Sequence, residues 1–184
     1  MKRTALIAAV AAGLVALACG GSTPTAVDHP APVAITQEGG TITASAGGKI
    51  LFSGQLLGDC NDLPPRRELL TPGGVYHFLD GPVCTHLAGG VAGEVWFTES
   101  GSILKNDKGT FHGPFEGDDV TWNGRSGKIT GLWHTVCEGL SGLPTCGGTF
   151  EAQGSGGLQG VKFHFVWGPG WYPFDYTGFA IDNS

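Results

Sequence analysis

The stretch Leu158-Gln-Gly-Val-Lys-Phe-His-Phe-Val-Trp167 decides the fold class, because apolar and polar residues alternate through most of its length. Successive side chains of a β-strand point to opposite faces, so Val161, Phe163, Phe165 and Trp167 share one face, and Gly160, Lys162 and His164 the other. Working outward, the same grammar recurs in Val91–Thr98, Gly109–Glu116, Ser126–Thr135, Gly148–Gln153 and Phe174–Ile181. Each run is short and bounded by Gly, Asn, Asp or Pro clusters. Together they predict one antiparallel β meander from Gly89 to Ile181.

Alternation also assigns the inner face. Val91, Gly93, Val95 and Phe97 fall on one side of their run, with Glu94 and Thr98 on the other. Phe111, Gly113 and Phe115 oppose His112 and Glu116, while Ile129, Gly131 and Trp133 oppose Lys128, Thr130 and His134. The inner pattern is large aromatic, glycine, large aromatic, and glycines there relieve crowding where a strongly coiled sheet closes on itself. That favours a barrel over a flat sandwich. Its expected lining is Phe97, Phe111, Phe115, Trp133, Phe163 and Phe165. Between the last two strands, Trp167-Gly-Pro-Gly-Trp-Tyr-Pro-Phe174 sets four aromatics around a Gly/Pro turn. Trp171 and Tyr172 in that loop are expected to form a lid or lip over the barrel mouth, or a plug that closes it.

Composition agrees with many tight turns: 33 glycines and one methionine in 184 residues, with a formal charge of −6. No basic stripe is present, and a nucleic-acid-binding protein needs one. A nucleic-acid partner is not expected.

The first residues read as an export signal. Lys2-Arg3 is a charged n-region, and Thr4 to Ala18 is a run of small and apolar residues too short to span a bilayer as a mature helix. The run ends in Ala16-Leu17-Ala18-Cys19-Gly20-Gly21, which resembles a bacterial lipoprotein signal, although Ala16 stands where that signal usually carries leucine. The resemblance implies cleavage before Cys19, lipid attachment at Cys19 and, with Gly20 following, an outer-membrane or cell-surface destination. Several acyl chains, at about 0.8 kcal/mol per buried CH₂, would hold such a protein firmly to a membrane. Loss of Lys2 and Arg3 with the leader takes the basic count from 10 to 8 against 16 acids, a mature charge of about −8. Residues 19–40 lack periodicity, contain Pro24, Pro30 and Pro32, and read as a flexible tether. Residues 41–184 then form one domain of about 145 residues, large enough to bury a core.

Within that domain, Thr41–Ala46 and Lys49–Leu56 predict a first strand pair around Gly47-Gly48. Asp59 to Pro72 reads as a polar loop, since Pro64-Pro65 forbids a central strand and Arg66-Arg67-Glu68 suits a solvated cluster. Val75–Leu79 follows as a short strand ended by a turn at Asp80-Gly81-Pro82. Cys60, Cys84, Cys137 and Cys146 make an even set in an exported chain, which points to disulfides rather than metal. Three pairings are open. Cys137 with Cys146 is favoured, because the two bracket a turn-rich loop and can meet across a hairpin base, which leaves Cys60 with Cys84.

The turns Gly109–Gly117, Trp122–Gly127, Gly148–Gly160 and Tyr176–Gly178 resemble those of allene-oxide-cyclase-like and dirigent-like β-barrels. The resemblance covers Gly89 to Ile181. It implies an eight-stranded barrel with an apolar cavity, in a group that holds cyclases, coupling-guidance proteins without chemistry of their own, and secreted bacterial proteins. Turns match, but no catalytic set does, so no functional residue follows from it.

Chemistry is sparse. His112, His134 and His164 fall on outward faces and would form a metal patch only if their strands were neighbours, joined by Glu116 or Glu151. His29 lies in the tether and His86 in the loop after Cys84. His77 is in register with Val75 and Leu79, and would act as a base, acid or donor if it faced an apolar cavity. If Tyr76 and Phe78 are the buried face, it points away. Gly154-Ser-Gly-Gly157 lacks the spacing of a nucleophile elbow, and neither Gly89-Gly90 nor Gly147-Gly148 precedes a helix. No metal and no cofactor is expected. The favoured expectation is a lipid-anchored envelope protein whose barrel binds a small apolar ligand or an envelope partner without catalysis. One alternative is a barrel cyclase or isomerase using His77, Thr135 or Gln159. The other is a structural protein with a solid core.

Overall fold

In a computed structural model of the chain, the described residues are 34–37, 40–44, 48–59, 67–170 and 173–184. All regular structure among them is β: β1 Ala34–Gln37, β2 Gly40–Ala44, β3 Lys49–Asp59, β4 Arg67–Leu70, β5 Tyr76–Gly89, β6 Val91–Ile103, β7 Lys108–Trp122, β8 Arg125–Glu138, β9 Thr145–Gly156, β10 Val161–Gly170 and β11 Phe174–Asp182. Every pairing is antiparallel, and neighbours run β1-β2-β3-β11-β10-β9-β8-β7-β6-β5-β4. One further pairing, of β3 with β5 through Gly54↔Gly89 and Leu56↔Leu87, joins β3 and β5 to the six strands between them in a closed ring of eight. The ring is staggered. Pairing partners traced from Phe78 pass through Gly101, Phe111, Thr135, Gly148, Trp167, Tyr176 and Gly54, and return to β5 at Gly89. A stagger of this kind accompanies strands tilted across the ring axis.

Local chemistry sets the turns. Asn123 and Gly124 join β7 to β8 with φ of +49° and +73°, the pair of left-handed positions that a tight Asn-Gly hairpin requires. Gly156 and Gly160 flank the β9–β10 turn, also at positive φ. These turns and the β5–β6 connection gather at one end of the ring, and side chains fill it there. Trp122, Ile129, Leu158, Val91, Val95, Val120 and Val161 are all fully buried. Phe163 meets Trp122 edge-on at 5.4 Å, and Phe165 meets Phe52 at 4.9 Å, geometries that aromatic quadrupoles favour.

Two polar clasps fix this packed end. The Tyr176 hydroxyl donates to Val91 O at 2.6 Å and accepts from Val91 N at 3.1 Å, tying β11 to the start of β6. It crosses Gly54 on the way; a Cβ there would stand 2.4 Å from the tyrosine oxygen. Arg125 donates to Gly157 O at 2.7 Å, to Gln159 O at 3.2 Å and to Asp182 Oδ2 at 2.7 Å, so one guanidinium holds both the β9–β10 turn and the end of β11.

Several elements depart from the sequence reading. β1 pairs with β2 inside the stretch expected to be tether, since Ala34–Gln37 needs only one partner edge to form a ladder. β4 occupies part of the expected loop and pairs with the outer half of β5 through Arg67↔Leu79 and Leu70↔Tyr76. Asp80-Gly81-Pro82 does not end a strand. Asp80 takes φ of +49°, the register shifts between Phe78 and Gly81, and β5 continues past this bulge through Cys84 and His86. β2 pairs with β3 as the expected first strand pair, and Gly47 lies outside the described residues.

Candidate functional site

The end of the ring opposite those turns is not filled by the described residues. It holds a cavity of about 340 Å³, the size range of small-molecule sites. Its wall is built from the open-end portions of the ring strands: Phe78, Val83 and Thr85 from β5; Phe97, Glu99 and Ile103 from β6; Phe111 from β7. Trp133, Thr135 and Cys137 come from β8, Phe150 from β9, Trp167 from β10, and Phe174 and Leu56 from β11 and β3. Leu140, in the loop after β8, caps part of the mouth. Trp167 and Phe174 touch at 4.5 Å across the last strand pair, and Phe97 meets Trp133 at 5.4 Å.

Cys137 and Cys146 form a disulfide between directly opposed residues of β8 and β9, with Cα atoms 4.1 Å apart, and so pin the rim at the base of the 139–144 loop. Cys84 is disulfide-bonded as well. Cys60, its expected partner, lies outside the described residues, as do Cys19, His29, Arg66, Trp171 and Tyr172.

Of the residues expected to line a lumen, Phe97, Phe111 and Trp133 do so. Phe115, Phe163 and Phe165 do not. Phe163 and Phe165 sit in the filled half against Phe52, Trp122 and Tyr176, and Phe115 packs on Phe97 and Phe150 at 5.5 and 5.6 Å. Along a strand, the ring nearer the mouth faces space and the ring nearer the turns faces other rings. Four further aromatics line the cavity: Trp167, on the face that alternation gives to Phe163 and Phe165, Phe78, on the face opposite His77, and Phe150 and Phe174.

His77 does not reach the lumen, because its neighbour Phe78 takes the inward position at that level of β5. Gln159 is exposed in the β9–β10 turn, at the wrong end for a cavity residue. Thr135 does line the cavity, and its hydroxyl donates to Gly147 O at 2.8 Å. On the outside, His112 and His134 are opposed partners on β7 and β8, while His164 stands on β10 beside Glu151 at 3.6 Å. Glu116 instead holds Lys128 at 2.7 Å. Among the described residues, no group of three or more His, Cys, Asp or Glu is placed to hold a metal ion.

Apart from Thr135, the polar groups of the wall are the features that sequence reasoning missed. Among the described residues, Glu99, 7% exposed, is the one ionisable side chain on the wall, and no Lys, Arg or His joins it. One further step of the alternation through Val95 and Phe97 lands on Glu99, so the signal was present. Thr85 Oγ1 and Trp167 Nε1 are buried with no hydrogen-bond partner among the described residues. Such a surface can hold an apolar body by contact and orient it by a few polar atoms.

Comparison with known proteins finds no matching family model, no matching curated protein and no matching solved structure.

Proposed function

We propose that the eight-stranded ring is a β-barrel, open at one end, that binds a small apolar ligand and does no chemistry on it. The observation that carries this reading is the 340 Å³ cavity walled mainly by Phe, Trp, Leu, Val and Ile side chains. A cavity of about 150 Å³ takes one benzene, so this one suits roughly two rings, or one ring and a short chain. Burying such a molecule contributes about 25 cal/mol per Å² of apolar surface before the costs of association. The lipoprotein-like start supports the rest of the proposal: export, acylation at Cys19, and display of the barrel at the outer membrane or cell surface. The barrel resemblance drawn from the glycine-rich turns is kept as part of the same proposal.

The test is titration of the purified domain with the uncharged fluorophore N-phenyl-1-naphthylamine. Saturable enhancement at one site, displaced by naphthalene derivatives, is expected; no saturable enhancement refutes the reading. Metabolic labelling with an alkyne fatty acid tests the anchor, and Cys19→Ser should abolish the label.

A second reading, a cyclase or isomerase, has one observation in its favour: the carboxyl of Glu99 on the wall of an apolar cavity, where a proton-transfer group is often tuned. It moves the candidate from His77 to Glu99. A turnover assay in which Glu99→Gln retains full rate would remove it.

A further inference from the structure

Thr85 and Trp167 are each more than nine-tenths buried, and both line the cavity from different strands, β5 and β10. Neither Thr85 Oγ1 nor Trp167 Nε1 has a hydrogen-bond partner among the described residues. The other hydroxyl on the wall, Thr135, donates to a backbone carbonyl, and the Trp133 indole donates to Thr98 O at 3.3 Å. The two unpartnered atoms therefore stand out against polar neighbours that are satisfied. A buried polar atom without a partner destabilises a fold, and in native proteins it asks for an explanation such as a bound group.

We infer that the ligand of this cavity is an uncharged, ring-sized apolar molecule carrying a hydrogen-bonding oxygen, a carbonyl or a hydroxyl, that pairs with Thr85, Trp167 or both. The inference rests on the reading of the cavity as a ligand site. An indole N–H can only donate, so the group it meets must be an acceptor. A threonine hydroxyl can donate or accept, and rotation about χ1 exchanges it for the methyl group at the lumen. Trp167 Nε1 and Thr135 Oγ1 both lie 2.9 Å from the point where a Cβ on Gly148 would stand, so the missing side chain at Gly148 brings two polar atoms together on one patch of wall. Charge favours the neutral form of the oxygen: among the described residues, no cation lines the cavity to pair a ligand carboxylate, and the ionisable lining group is an acid, Glu99.

Three probes of one shape separate the possibilities: 2-acetylnaphthalene, 2-ethylnaphthalene and 2-naphthoate, each competed against N-phenyl-1-naphthylamine. The wild-type protein should prefer the ketone to the carboxylate. The affinity ratio of ketone to hydrocarbon should fall about fivefold or more in Thr85→Val or in Trp167→Phe, the size expected for one hydrogen bond to a buried donor. Using the ratio cancels any general change in cavity size. If Trp167→Phe does not fold, replacing Trp167 by benzothienylalanine keeps the bicycle and removes only the N–H. A fall at either position supports the inference and says which wall holds the oxygen. A ratio unmoved at both positions, or a preference for the carboxylate, overturns it while leaving apolar binding intact. If none of the three probes competes and the fluorophore does not bind, the cavity reading itself falls.

Discussion

Tyr176→Phe deletes one oxygen from a ring that is 1% exposed, and the consequence can be worked from the bonds lost. That oxygen donates to Val91 O at 2.6 Å, lies 3.1 Å from Ala88 O, and accepts from Val91 N at 3.1 Å. Removing it strips these backbone groups of a partner in a site that water does not reach, which costs about 1–3 kcal/mol. With about 2 kcal/mol lost, Tm should fall by about 4–8 °C for a domain of this length. The urea midpoint should drop by about 1 M for an m-value near 2 kcal/mol/M. Burial also raises the phenol pKa above its ordinary value, because the charged form cannot be solvated there. The folded pKa being the higher one, the associated stability is present below about pH 10 and lost as pH rises beyond it. Tyr176→Phe should flatten that alkaline limb. The Gly54→Ala change supplies a control: its Cβ would stand 2.4 Å from the tyrosine oxygen but also 2.1 Å from Ala88 O. The double variant should therefore remain destabilised, since the contacts with Ala88 O and with the ring carbon Cζ, 2.5 Å away, are not relieved. Chemical denaturation with both probes decides it, and a loss under 0.5 kcal/mol for Tyr176→Phe would refute the reasoning.

Thr85→Val removes a buried, unpartnered hydroxyl with little change of shape, so it should raise stability by about 1 kcal/mol, read as about 2–4 °C in Tm by calorimetry. The double change Cys137→Ala and Cys146→Ala opens a short loop at the cavity rim and should cost about 2–3 kcal/mol in urea titration. Asp182 is held below its ordinary carboxyl pKa, first by the Ser184 hydroxyl and also by Arg125. Because the folded pKa is the lower one, this stabilisation is present above about pH 4 and lost as pH falls below it. The stability gap between wild type and Arg125→Gln should therefore be wider at pH 7 than at pH 3, by urea midpoints at both.

Much of the ring was legible in the sequence because alternation is a local property. Val91 to Phe97 and Val161 to Trp167 declare their inner residues without reference to any partner. Height along the axis is not local: it is set by register and stagger, and so Phe115, Phe163 and Phe165 were assigned to a lumen they do not reach. Asp80-Gly81-Pro82 misled for a related reason. Gly and Pro serve a bulge as readily as a turn, and only pairing with both Thr98 and Gly101 on β6 shows that the strand runs on. β1 and β4 are short strands, each paired along one side, so their ladders come from neighbours rather than from their own pattern. Thr85 and Glu99 were hidden in plain alternation, because an inward polar residue looks like a break in a pattern sought for its apolar members.

The junction of β3 with β5 has a mechanical meaning. β3 divides its outer edge, giving Phe52 and its predecessors to β2 and Gly54 onward to β5, while β5 divides its own between β3 and β4. This leaves the circle with one short zipper, Gly54–Asp59 against Thr85–Gly89, interrupted by a register slip before Asp59. Local openings start where few bonds must break together. Breathing of the wall should begin along this line, beside Thr85 and Leu56, and backbone amides there should exchange with deuterium before those of the long β7–β8 ladder.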